Sequence, residues 1–212
     1  VDGILFVAND LSNELLDIAQ SLHSVPLVQI CRNSEDHRKI EVVNVDGYQA
    51  GREIAALLLA QDYTRFGYMK GPDTESSHLL RMDGYQTELE AHNCKVDVLL
   101  IAGGYERKLG YQMMVDYLNS TPVDKRVDAL FCENDILAIG ALEALYETGN
   151  FHSIAIVGFD GIEEADSPVW ALTTYHQNAE TLIMEAINRL TENKSSPASE
   201  WQRGELIIRR SH

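Results

Sequence analysis

Between Ala129 and Asp160 two apolar runs, each ending in a polar cluster, flank a helical pattern. No other part of the chain restricts the fold as much. The first run is Ala129-Leu130-Phe131-Cys132, followed by Glu133-Asn134-Asp135. The second is Ile154-Ala155-Ile156-Val157-Gly158-Phe159, followed by Asp160. Short continuous apolar runs with polar boundaries fit strands buried on both faces. Between them, Ile136 to Thr148 reads as a helix closed by Gly149 as a C-cap. A strand–helix–strand unit sets its two strands parallel and adjacent. Asn134 and Asp160 then lie at neighbouring carboxyl ends, where open α/β sheets bind small ligands. Recognition of a small polar molecule is the first expectation.

The rest of the chain repeats the alternation. Val1 to Ala8 reads as a strand, and Asn13 to Leu22 as an amphipathic helix with Leu15, Leu16, Ile18, Ala19 and Leu22 on one face. Leu27 to Ile30 and Glu41 to Val45 are strands separated by a charged loop, Arg32 to Lys39. Asp46 is a candidate N-cap for a helix from Gly47 to about Gln61. Strand Arg65 to Lys70, helix Ser77 to Glu90, strand Val96 to Ile101 and helix Tyr105 to Leu118 follow. After the central unit come strand Leu172 to Tyr175, helix Ala179 to Thr191, a polar linker Glu192 to Glu200 and a last strand, Leu206 to Arg209. Such alternation predicts parallel sheets covered by helices on both faces. The chain opens directly on a strand pattern without an initiating methionine. A central strand needs neighbours, so a longer natural protein is expected.

Composition narrows the function classes. Seventeen basic against 33 acidic residues give a net charge of −16, which repels phosphate backbones. Any contact with nucleic acid must come from another segment. No apolar run approaches the length needed to span a bilayer. Cys31, Cys94 and Cys132 are odd in number and lack CxxC spacing, so they read as buried thiols in a reducing, cytoplasmic setting. No Gly-x-Ser-x-Gly elbow, phosphate-binding loop or His-Glu-x-x-His motif is present, and the seven histidines are scattered. The chain reads as a binding protein rather than an enzyme, with no cofactor and no metal.

Six blocks carry a resemblance. They are Val1-Asp2-Gly3-Ile4-Leu5, Asn44 to Gly51 (NVDGYQAG), Gly71-Pro72 with Arg81-Met82-Asp83-Gly84-Tyr85, Glu133 to Leu142 (ENDILAIGAL), Val157-Gly158-Phe159-Asp160, and Leu172 to Gln177 (LTTYHQ). In this order and spacing the chain resembles the effector-binding core of the LacI/GalR family of bacterial transcription regulators. The resemblance implies a periplasmic-binding-protein-like type I fold: two doubly wound α/β lobes with parallel sheets and three crossovers, the first lobe N-terminally truncated. The lobes would be residues 1–45 plus 177–195, and 46–176 plus 203–212. It further implies a homodimer acting on operator DNA through a helix-turn-helix module outside this chain, with the effector, most simply a carbohydrate or sugar derivative, in the cleft between lobes.

Site residues carry over one by one. Arg81 matches the arginine that grips the effector, and its rigid five-donor fork suits paired hydroxyls or a carboxylate; otherwise it is a surface helix arginine. Asp160 matches an acceptor carboxylate, with a cap or loop ion pair as the alternative. Asn134 either bonds a hydroxyl or caps the next helix, and the two are compatible. Tyr105 matches a stacking aromatic or packs on the core from a helix start. Ser77 matches a small polar position. Gln177, at a crossover, is structural or ligand-touching. Ile139 is expected at the dimer seam, with Trp170 as an interface anchor.

Departures matter too. Glu75 stands where purine-responsive members have arginine, which argues against a purine corepressor. Cys31 replaces an aspartate of many sugar-responsive members, removing one acceptor, and the adjacent Arg32 either attracts an anionic sugar derivative or is a loop arginine. A periplasmic sugar-binding protein of an ABC transporter shares the fold and is the competing class. The Leu172-Thr173-Thr174 and Glu133-Asn134-Asp135 blocks favour the regulator.

Overall fold

The computed structural model describes residues 3–7, 18, 21, 25–30, 41–73, 79–192 and 196–212. Most of the helix expected over Asn13 to Leu22, the Arg32 to Lys39 loop, and Cys31, Glu75 and Ser77 lie outside them. In chain order the elements are β1 (Ile4–Val7), β2 (Leu27–Ile30), β3 (Glu41–Val43), α1 (Gly47–Leu59), β4 (Phe66–Lys70), α2 (Leu80–Ala91), β5 (Val96–Ile101) and α3 (Arg107–Ser120). They continue with β6 (Ala129–Cys132), α4 (Asp135–Glu147), β7 (Ala155–Asp160), β8 (Thr173–His176), α5 (Ala179–Glu192), α6 (Ala198–Trp201) and β9 (Glu205–Ile207). Two compact units result: Val1–Asp46 with Asn178–Gly204, and Gly47–Gln177 with Glu205–His212.

The first unit holds a parallel sheet in the order β1-β2-β3. Val28, Ile30 and Val43 are buried, as are Leu182 and Ala186 of α5, which packs on all three strands. The segment expected to be a polar linker contains α6. Its Trp201 is buried, donates its indole N–H to the Ser196 carbonyl, and lies under the Arg189 guanidinium at 5.0 Å. Arg189 also pairs with the buried Glu185 at 2.7 Å. Burial alone would raise the Glu185 carboxyl, but Arg189 and the Ser196 amide hold it below its usual range. One aromatic anchor thus fixes α6 at the end of a stretch whose composition is otherwise that of a linker.

The second unit is a six-stranded sheet in the order β5-β4-β6-β7-β8-β9. Every pairing is parallel except β8 with β9. The last strand is therefore an antiparallel edge, and it covers Glu205–Ile207 rather than Leu206 to Arg209. All residues of β4 and β6 are buried, as continuous apolar runs require of central strands covered on both faces. Phe6 and Phe131 lie in different sheets.

The covering helices come in two pairs, α1 with α2 and α3 with α4. Each pair closes on glycines. A Cβ on Gly51 would stand 2.0 Å from the Arg81 carbonyl oxygen, and one on Gly84 would stand 1.9 Å from that of Tyr48. Gly110 and Gly140 play the same part between α3 and α4, with would-be contacts of 2.6 and 2.2 Å to backbone oxygens. These approaches exclude any side chain and fix α2, the helix carrying Arg81, against α1.

Helix α4 corrects one expectation. Leu137, Ala138, Ile139, Gly140, Ala141, Leu142, Ala144 and Leu145 are all buried, because the helix lies between the sheet and α3. Ile139, at 1% exposure, belongs to the core of its own unit and does not offer its side chain to a second copy. Trp170 packs against the same core with the Arg107 guanidinium 5.3 Å above its ring, while Val169 beside it is 62% exposed. Of the cysteines, Cys132 is buried, its thiol pushed up by desolvation, and Cys94 is partly exposed after α2. Among the described residues no helix is long and apolar enough to cross a membrane.

Candidate functional site

Strands β4, β6 and β7 are neighbours, and their carboxyl ends deliver Gly71, Glu133 and Asp160 to one edge of the sheet. The polar cluster after β6 turns directly into α4. Asn134 has the extended backbone of an N-cap, and its side-chain oxygen accepts the Leu137 amide at 2.9 Å. The capping reading of Asn134 is thus realised, and its oxygen is committed to the helix.

Arg81, at the start of α2, lies over this edge. Its guanidinium carbon is 3.5 Å from the centre of the Phe159 ring, and Nη1 donates to the Glu133 carbonyl at 2.6 Å. Phe159 is itself stacked on Tyr175 at 5.3 Å with an interplanar angle of 16°, so the seat beneath the guanidinium is rigid. Asp160 follows directly. Its φ of 114° is one that L side chains rarely adopt, and such strain persists where surrounding structure imposes it, often at ligand sites. The carboxylate accepts from Gln177 Nε2 at 2.7 Å. Burial raises its affinity for the proton, against the pull of Arg81 and the Gln177 hydrogen bond. The residue nevertheless keeps part of its surface open. A desolvated yet reachable carboxylate beside a seated guanidinium can bind hydroxyl or N–H groups strongly, because little water must be displaced from it.

Glu133 is the hub that sequence reasoning passed over. It is 1% exposed. Its Oε1 accepts the Tyr68 hydroxyl at 3.1 Å, and its Oε2 accepts the Tyr105 hydroxyl at 2.9 Å and the Gly71 amide at 2.8 Å. Tyr105 precedes α3 rather than starting it, because its phenol is tied back to Glu133 and its ring lies against Gly71. A Cβ on Gly71 would come within 2.6 Å of that ring. Burial first, then the charge of Glu133, pushes the Tyr105 phenol far above its usual range. Asp135, two residues on, is fully buried and accepts from the Thr174 hydroxyl at 2.6 Å and the Gly161 and Ile162 amides at 2.8 and 2.9 Å. Desolvation outweighs those bonds and, with the charge of Asp160, pushes its carboxyl up to about 7.

The structure therefore brings Arg81, Asp160, Asn134, Tyr105 and Gln177 to one edge, and adds Glu133, Asp135 and Phe159. Ile139 and Trp170 lie elsewhere, and Ser77, Cys31 and Arg32 are outside the described residues. Glu133 follows a strand buried at all positions, so its carboxylate must find donors, but which donors they are emerges only when β4 pairs with β6 and sets Tyr68 beside Phe131.

Comparison with known proteins fits this architecture. The periplasmic binding protein-like domain matches residues 55–212. The HTH-type transcriptional repressor PurR of Haemophilus influenzae is 27% identical over all of this chain, which spans 64% of that relative's length. A solved LacI-family transcriptional regulator from Burkholderia phymatum superposes with a TM-score of 0.81 at 26% identity, covering 99% of this chain and 77% of that one. A LacI-family regulator from Lactobacillus casei, solved with bound sucrose, shares the fold with a TM-score of 0.81 at 22% identity, covering 100% of this chain and 79% of that one. The chain belongs to the periplasmic binding protein-like domain family, and within it has the effector-binding core of the LacI/GalR type.

Proposed function

We propose that this chain is the effector-sensing and dimerisation core of a cytoplasmic DNA-binding transcriptional repressor, and that it binds a polyhydroxylated metabolite, most simply a sugar, without transforming it. The observation that carries the reading is the strained Asp160 carboxylate beside an Arg81 guanidinium seated on Phe159. Arg81 supplies donors, Asp160 supplies an acceptor, and the Tyr105 ring offers a face to the apolar side of a pyranose. Bound sucrose in the Lactobacillus casei relative supports the same ligand class.

The effector acts by binding one conformation of the whole regulator better than another. It shifts the population only by that difference, and effector and operator then alter each other's affinity by the same factor. The dimer contact is proposed on the second unit around a cleft of about 320 Å³ bordered by Leu142, Phe151, Val169 and Trp170. Val169 and Phe151 are 62% and 39% exposed there, an apolar surface suited to burial against a second copy.

A thermal-shift screen of hexoses, disaccharides, nucleosides and their derivatives tests the reading. A ligand that binds only the native state raises the unfolding temperature with concentration. Stabilisation by sugars that Arg81→Ala abolishes is expected. Stabilisation by nucleosides alone, or by sugars equally in Arg81→Ala, rejects it.

A further inference from the structure

We propose that Glu133 sets the charge class of the effector, restricting it to neutral or amine-bearing polyhydroxy compounds and excluding carboxylates and phosphates. The proposal rests on the effector site described above and adds a specificity-determining residue to it.

Neutral groups hold Glu133. Its carboxylate takes three hydrogen bonds, from the hydroxyls of Tyr68 and Tyr105 and the amide of Gly71, and all three donors are neutral. Among the described residues no cation bonds its carboxylate directly. Arg81 bonds the Glu133 backbone carbonyl instead of the carboxylate. Lys70, at the end of β4, pairs with Asp73 at 3.0 Å. Asp160 adds a second carboxylate whose neighbour at 2.7 Å is the neutral Gln177 amide. Asp135 adds a third acid, held by the Thr174 hydroxyl and two backbone amides. Among the described residues the edge thus places the Glu133 and Asp160 carboxylates near the single guanidinium of Arg81, while Asp135, pushed up to about 7, carries only part of a charge. In a poorly solvated place that imbalance acts over several ångströms.

Hydrogen-bond polarity points the same way. The Tyr105 hydroxyl spends its proton on Glu133, so toward a ligand its oxygen can only accept. Asp160 likewise only accepts when ionised. Tyr105 and Asp160 are then acceptors beside the Arg81 donors, and a ligand satisfies them with O–H or N–H groups. An anionic group would meet Arg81 but also lie near the Asp160 carboxylate, with the buried charge of Glu133 behind the Tyr105 hydroxyl. A hydroxyl or an ammonium meets no such opposition. Glu133 imposes both constraints, the charge directly and the acceptor character of Tyr105 through its hydrogen bond.

The test uses calorimetry and thermal shift on the full chain. The probes are matched sets built on glucose, galactose and mannose: the hexose, the 2-amino-2-deoxyhexose, the aldonate and the 6-phosphate, with sucrose as a neutral disaccharide. For wild type, the neutral or amino member of a set is expected to bind at least thirtyfold more tightly than its aldonate and phosphate. Glu133→Gln should reduce that gap to less than about threefold, and Glu133→Asp, which keeps the charge, should retain most of it. Tightest binding by an aldonate or phosphate that Arg81→Ala abolishes overturns the proposal while leaving the site in place. An undiminished gap in Glu133→Gln also overturns it. Binding that Arg81→Ala does not weaken, or no binding by any member, rejects the site reading and the proposal with it. If the Glu133 variants fail to fold, the wild-type series alone decides the charge class.

Discussion

Replacing Gly84 by alanine places a methyl group inside the backbone of the neighbouring helix. The new Cβ would stand 1.9 Å from the Tyr48 carbonyl oxygen, 2.7 Å from its carbonyl carbon and 3.0 Å from its Cα. Ordinary contact begins near 3.4 Å, and backbone atoms inside a helix cannot rotate away. Helices α1 and α2 must therefore separate by roughly the missing 1.5 Å, the difference between 3.4 and 1.9 Å. Alanine gains about 1 kcal/mol over glycine in a helix interior. Overpacking costs about 1–3 kcal/mol, occasionally more, and a collision of backbone with backbone belongs at the severe end. A net loss of about 2 kcal/mol is expected. Urea unfolding followed by far-ultraviolet circular dichroism should show the midpoint falling with the slope unchanged. Because Arg81 lies on the displaced helix, its seat over Phe159 should loosen and effector affinity should fall as well. A midpoint equal to or above that of wild type would refute the idea that glycine contacts set this helix pair.

Three further outcomes follow from the same geometry. The Tyr85 hydroxyl is buried with no hydrogen-bond partner among the described residues, so Tyr85→Phe should leave stability unchanged or raise it by up to ~1 kcal/mol; a loss above that, in urea unfolding, contradicts the packing described. The folded value for Asp135, about 7, lies above its unfolded value, so the fold favours the protonated acid. The stabilisation from that group is complete below about pH 3.8 and is lost as pH rises to about 7, by on the order of 4 kcal/mol at most. Asp160, also raised, contributes in the same direction, whereas the lowered Asp128 and Glu185 act near and below pH 4.5. Denaturation at a series of pH values should show this decline in wild type and a flatter profile in Asp135→Asn; equal slopes would reject the buried-acid account. Finally, Val169→Asp should shift a dimer toward monomer in sedimentation without lowering the unfolding midpoint, and unchanged sedimentation would move the dimer contact elsewhere.

What the sequence revealed follows physical lines. The β6-α4-β7 unit was legible because local signals agree: apolar runs for β6 and β7, Asn134 as a cap, and Gly149 with its φ of 70° after the helix. Arg81 and Asp160 were legible through motif resemblance, since their meeting depends on α2 and β7 converging across the fold. Glu133 was missed because its partners are remote, Tyr68 lying 65 residues away, Gly71 62 and Tyr105 28. No local pattern signals a hub of that kind. Ile139 was placed at a dimer seam by resemblance alone, whereas α4 is covered by the sheet on one side and α3 on the other, which buries that side chain in its own unit. The antiparallel β9 and the small helix at Trp201 depend on tertiary pairing and one buried indole, which polar composition conceals.

The central claim is that the edge formed by Arg81, Asp160 and Tyr105 holds the effector. Its most direct test is calorimetric titration of wild type and Arg81→Ala with whichever ligand stabilises the protein in the screen. Removing the guanidinium leaves its polar partners on the ligand unpaired, an expected cost of about 2–4 kcal/mol, so affinity should fall by at least about thirtyfold while the unfolding midpoint barely moves. An affinity for Arg81→Ala within about threefold of wild type, or roughly 0.7 kcal/mol, would show that the effector binds elsewhere.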